Sequence, residues 1–195
     1  LGAFYTSIQV PNVTHDELGA VLRHVIDEPG IAGIELYFGE AIDGWTAVYP
    51  KVCEQMDRLA TRVSQELRCL VLTLGSYDED DFLLNANLAG KDLGFFKITL
   101  GKKRTGKARD PVVKRLDLLA AYCSQAERDS LLEVLSDTRK EAFGSDLLRR
   151  FCGTVGIKNA ATSFDYIERG DYTGDLDVAC ELERLPSVAE GSAAV

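Results

Sequence analysis

The chain has 195 residues, 46% of them apolar and 27% charged, with 22 basic against 31 acidic side chains and a net charge of −9. At this length a packed core forms without disulfide or metal staples, and the proportions fit neither a disordered nor a fibrous chain. The negative field repels polyanions, so no nucleic acid partner is expected.

No run approaches the roughly 18 apolar residues of a membrane span, and the first residues lack the basic, apolar, small-residue order of a signal peptide. No membrane association is expected. Five cysteines, Cys53, Cys69, Cys123, Cys152 and Cys180, stand far apart and are odd in number, which reads as reduced, cytoplasmic usage. The charge is unevenly laid out: residues 1–100 carry 7 basic and 15 acidic side chains, whereas 101–115 carry 7 and 1.

Residues 3–10 are rich in β-branched and aromatic side chains and read as a strand. Thr14 then opens a helix, with Glu17 completing a capping box and Val13 and Leu18 placed as a hydrophobic staple. Leu18, Val21, Leu22, Val25 and Ile26 form its apolar stripe. Asp27 to Gly30 stops it. The β-rich runs 31–40 and 43–50 read as a hairpin turning at Asp43-Gly44. Pro50 is expected in the first turn of a second helix, with apolar positions at Val52, Met56, Leu59, Ala60, Val63 and Leu67. The continuous run 69–77 reads as a buried central strand. Two further strands follow, divided by the turn at 89–92.

Residues 1–100 thus read β-α-β-β-α-β-β-β. The order predicts an α+β fold, a mostly antiparallel sheet with two helices on one face. No segment repeats recognisably, so an internal duplication finds no support in the residues. Residues 101–111 form a basic loop rich in glycine. Beyond it, apolar residues at helical spacing, a second capping box at Ser124 and Glu127, a cap at Ser145 and a closing Gly170 predict a helical segment packed on the sheet. One α+β domain over 1–170 is expected, made of the sheet part, the loop and a helical part at 112–170. The acidic remainder, 171–195, is expected to fray.

Four groups of residues invite a chemical reading. Gly101 to Lys107 matches the spacing G-x-x-x-x-G-K of a phosphate-binding loop. Ala108 stands where a hydroxyl should hold Mg²⁺, Pro111 obstructs a long helix, and the preceding strands look antiparallel. The segment therefore reads as a solvated connector whose Lys102, Lys103, Arg104 and Lys107 can receive an anion or an acidic tail, this chain's own 171–183 included.

The carboxylates Asp78 to Asp81, and similarly Asp171, Asp175 and Asp177, lack the spacing of a Ca²⁺ loop, so 78–81 reads as a charged turn. His15 and His24 share no helix face and have no cysteine or second histidine at metal-ligand spacing. No metal, cofactor or catalytic residue is expected from these patterns. The aromatic residues Tyr37, Phe38, Trp45 and Tyr49, with Phe82, Phe95 and Phe96, suggest a groove near Trp45 lined by Tyr37 and Tyr49. Glu35 or Glu40 would there select a cationic ligand.

The leading functional expectation is a non-enzymatic protein-interaction module, of the inhibitor or immunity kind, that engages a basic partner through its acidic sheet part. A small-molecule binding domain near Trp45 is the alternative, and a cation-dependent hydrolase built on the acidic turn the third.

Overall fold

A computed structural model describes residues 4–78, 80–171 and 182–186. Among these, seven strands make one sheet: β1 (Tyr5–Pro11), β2 (Leu36–Phe38), β3 (Trp45–Pro50), β4 (Leu70–Tyr77), β5 (Asp81–Leu88), β6 (Lys91–Thr99) and β7 (Glu183–Leu185). The order is β6-β5-β4-β1-β3-β2-β7, and every neighbouring pair is antiparallel. The helices are α1 (His15–Val25), α2 (Met56–Leu67), α3 (Asp110–Asp117), α4 (Gln125–Ser136), α5 (Gly144–Val155) and α6 (Phe164–Arg169). The α+β architecture expected from the sequence is the one found.

Strand alternation divides the interior in two. On one face Ile8, Val10, Leu36, Phe38, Val48 and Val71 meet Leu18, Leu22 and Val25 of α1 and Leu59, Ala60 and Val63 of α2. On the other, Tyr5, Leu72, Leu74, Phe82, Leu84 and Ile98 meet the buried sides of α3, α4 and α5. A smaller group, Ala47 and Tyr49 under Ile167, seats α6 on that second face. The helical segment thus packs against the side of the sheet away from α1 and α2. All seven residues of β1 are buried, because both of its faces are covered.

Local chemistry explains several boundaries. Thr14 and Ser124 cap α1 and α4 through reciprocal bonds with Glu17 and Glu127, the capping boxes read from the sequence. Asp43 and Gly44 both have positive φ, and Ile42 and Trp45 exchange two backbone hydrogen bonds around them, the geometry of a two-residue hairpin turn. Pro50 departs from expectation. It closes β3, and α2 begins only at Met56 after a single 3₁₀ turn, which leaves Val52 exposed.

The outer edge of β6 is guarded. Arg115 donates to the carbonyls of Leu93 and Gly94, and Arg104 Nη2 donates to the carbonyl of Lys97 at 3.2 Å. The opposite edge is β7, within the segment that composition marks as a fraying tail. Leu185 is buried in the α1 side of the core, Arg184 reaches Glu35 at 2.7 Å, and Glu183 reaches Arg23 at 2.6 Å. One apolar residue and the ion pairs of Glu183 with Arg23 and of Arg184 with Glu35 and Glu168 fix a three-residue strand that composition alone does not reveal.

Two outcomes follow from this packing. A Cβ at Gly144 would lie 2.6 Å from the carbonyl oxygen of Asp81 and 2.8 Å from Ser76 Oγ, so α5 and β5 would have to separate. Gly144→Ala is expected to destabilise the protein by about 1–3 kcal/mol, measurable by urea unfolding. The second concerns acid. Hydrogen bonds from Lys51 and then Arg184 hold the Glu35 carboxyl below its ordinary 4.5. A carboxyl depressed in the folded state contributes stability that is complete above the unfolded value and is lost as pH falls through the folded one. Amide exchange, corrected for intrinsic rates, is expected to show β7 losing protection on acidification before β1 and β4 do. Simultaneous loss in all three strands would contradict this.

Candidate functional site: a cationic cavity beside the basic connector

A cavity of about 670 Å³ lies between the connector that follows β6 and the helical layer. This volume falls within the range of small-molecule sites. Its formation depends on how the connector is tied down. Gly101 N–H donates to the Thr138 carbonyl, Thr138 N–H to that of Lys102, and Arg104 N–H to that of Ser136 at 2.6 Å. Lys103 and Asp137 form an isolated antiparallel bridge. Thr138, fully buried, places its hydroxyl among the carbonyls of Thr99 and Lys102. The basic run is thereby fixed at the C-terminal end of α4, where backbone carbonyls concentrate negative partial charge.

Five cations line the cavity: Lys103, Arg104, Arg109, Lys140 and Arg150. Three acids, Glu133, Asp137 and Glu141, share the wall. Two of the acids are already engaged. Arg139 binds Asp137 through two nitrogens at 2.6 and 2.7 Å, and Arg150 meets Glu141 at 3.1 Å. The bonds from Arg139 hold the Asp137 carboxyl at about 2. Lys103, Arg104, Arg109 and Lys140 make no direct ion pair among the described residues, Arg104 bonding only the Lys97 carbonyl.

Two lining residues carry buried polar atoms with no hydrogen-bond partner among the described residues, Nη1 of Arg104 and Oγ of Ser136. Burial pushes the Arg104 guanidinium below its ordinary range.

Of the cations expected to receive an anion, Lys103 and Arg104 line this cavity, whereas Lys102 and Lys107 are exposed beside it. The phosphate-loop geometry is absent here: after Gly106 comes one 3₁₀ turn, Gly106–Ala108, and then the eight-residue α3. The chain's own acidic segment is not placed at the connector by its described part, since β7 pairs with β2 at the far edge of the sheet. Residues 172–181, Asp175, Asp177 and Cys180 among them, lie outside the described residues, as does Glu79.

Among the described residues, the groove expected near Trp45 is not assembled. Trp45 is 2% exposed, with its ring 4.9 Å from that of Tyr122 in the core. Tyr49 is fully buried and donates its hydroxyl to the Asn159 carbonyl at 2.6 Å, pinning the segment before α6. Tyr37 packs on Phe164 and donates to Glu168. Glu35 is engaged by Lys51 at 2.5 Å and by Arg184, while Glu40 stands exposed in the hairpin loop. These residues secure α6 and β7 to the sheet. Phe82 is core, and of the pair Phe95 and Phe96 it is Phe95 that faces outward, 53% exposed.

Other titratable groups are also accounted for. Asp81 is buried and pairs with Lys97, apart from the exposed Asp78 and Asp80. His15 stacks on Phe38 at 4.6 Å, with Nε2 3.6 Å from Glu183. His24, Glu28 and Glu66 come close enough to hold a cation, but Arg62 already bridges both carboxylates.

Sequence reading missed Arg109, Ser136, Lys140 and Arg150 as cavity residues. Their signal lies in the pairing of 101–104 with 136–138, which no periodicity announces.

Compared with known proteins, the chain matches no protein-family model, no curated protein and no solved structure. No helix among the described residues is long and apolar enough to cross a membrane.

The packing of the only tryptophan gives a direct check. Its fluorescence is expected to resist quenching by iodide and to stay unchanged across a panel of cationic and amphipathic compounds. Ready quenching would restore an exposed ring at Trp45.

Proposed function

We propose that this protein is a binding module that receives an anionic group of its ligand or partner in the cavity beside the connector. One observation carries this reading: a protein of net charge −9 gathers five cations around one cavity and leaves four of them without a direct ion pair among the described residues. Acids are abundant enough to neutralise all five, so their positioning against a concave surface favours an external counter-charge.

Engagement of a basic partner has less support. Within the acidic first hundred residues, Glu17 caps a helix, while Glu28, Glu35, Glu66 and Asp81 pair internally. Glu40 and Asp78 belong to turns at opposite ends of the sheet.

Calorimetric titration with pyrophosphate, citrate and a hexaglutamate peptide tests the proposal. At least one of them is expected to bind at low salt, with affinity falling as ionic strength rises. The double reversal Lys103→Glu and Lys140→Glu is expected to abolish binding with little change in the urea midpoint, since neither lysine makes a direct ion pair. Absence of binding by all three anions, or binding that survives the reversal, would refute it.

A further inference from the structure

We infer that the cavity is selective for a phosphate-bearing small molecule, anchored at its floor by Arg104 Nη1 and Ser136 Oγ; this rests on the anion-binding reading above. The guanidinium of Arg104 is divided. Its Nη2 is committed to the carbonyl of Lys97, so Nη1 is left as a single-point donor instead of half of a paired fork. A planar carboxylate gains most from a guanidinium that presents two parallel N–H groups. A tetrahedral phosphate accepts donors arriving from separate directions, and that is the arrangement available here: one guanidinium nitrogen, one hydroxyl, and the flexible ammonium groups of Lys103 and Lys140.

The unpartnered state of the two floor atoms supports the assignment. Ser136 is 8% exposed and Arg104 is partly buried, yet neither Oγ nor Nη1 has a partner among the described residues. Buried donors left unmade are costly, and a ligand oxygen that satisfies both relieves that cost on binding. Both atoms are shielded from water in the unliganded protein, so the anion reaches them only as the side chains around them move aside. Placement at the end of α4 explains why Lys103 and Arg104 sit where they do. It does not account for Arg109 and Lys140, or for the empty donor positions.

Pyrophosphate and citrate, anions of similar charge and different geometry, separate this inference from the broader reading. Pyrophosphate is expected to bind at least about tenfold more tightly than citrate. Ser136→Ala should weaken pyrophosphate about tenfold and leave citrate unchanged. Its melting temperature should not fall, because the hydroxyl has no partner to lose. Arg104→Lys, which keeps the charge and removes the guanidinium geometry, should erase the preference between the anions. Equal binding of the two, or unchanged pyrophosphate affinity in Ser136→Ala, would overturn the phosphate assignment while leaving anion binding intact. Failure of both anions and of the hexaglutamate peptide would remove the two proposals together.

Discussion

The structure depends on burial of its central strands from both sides. β1 and β4 alternate their side chains between two separate cores, so α1 and α2 on one face and the helical layer on the other must both be present to exclude water. Val71 lies in one core while Leu70 and Leu72 lie in the other, and Val48 stands between Ala47 and Tyr49 in the same way. A one-residue slip of either strand would exchange the two sets, so the two-sided burial fixes the register as well as the layers.

Attachment of the helical layer has an electrical consequence. Residues 101–104 run alongside 136–138, bringing a basic run against the carbonyl end of α4 and over the acids of the adjoining turn. Arg150 of α5 engages Glu141 of that turn, and Lys103 and Arg104 of the basic run line the cavity beside it. The cation excess is local, set within an acidic molecule, and a small anion approaching this mouth meets a field opposite in sign to the overall charge.

Sequence reading recovered what short-range chemistry determines. Capping boxes at Thr14 and Ser124, the Asp43-Gly44 turn, the strand within 69–77, buried from Leu70 to Ser76, and the closing glycine at 170 are decided by neighbours a few residues apart, and each was legible. Pro50 was misplaced because proline suits both the last position of a strand and the first turn of a helix. β7 was missed because its stability comes from Glu35, Arg23 and the core under Leu185, all far away in sequence. The aromatic group misled for a related reason: composition cannot separate a ring that lines a groove from one that closes a core, and Trp45 and Tyr49 close cores. Half of the cationic site was visible as the run 102–107, and the other half waited on a pairing more than thirty residues away.

The arginines along β6 bear on how copies of this chain can meet. With Leu93, Gly94 and Lys97 already giving their carbonyls to guanidinium groups, β6 offers few open acceptors to a strand from another molecule. At the other margin, the described part of β7 is three residues long, a short template for a continuation. Among the described residues, both margins of the sheet thus discourage a neighbouring molecule from splicing its own sheet on.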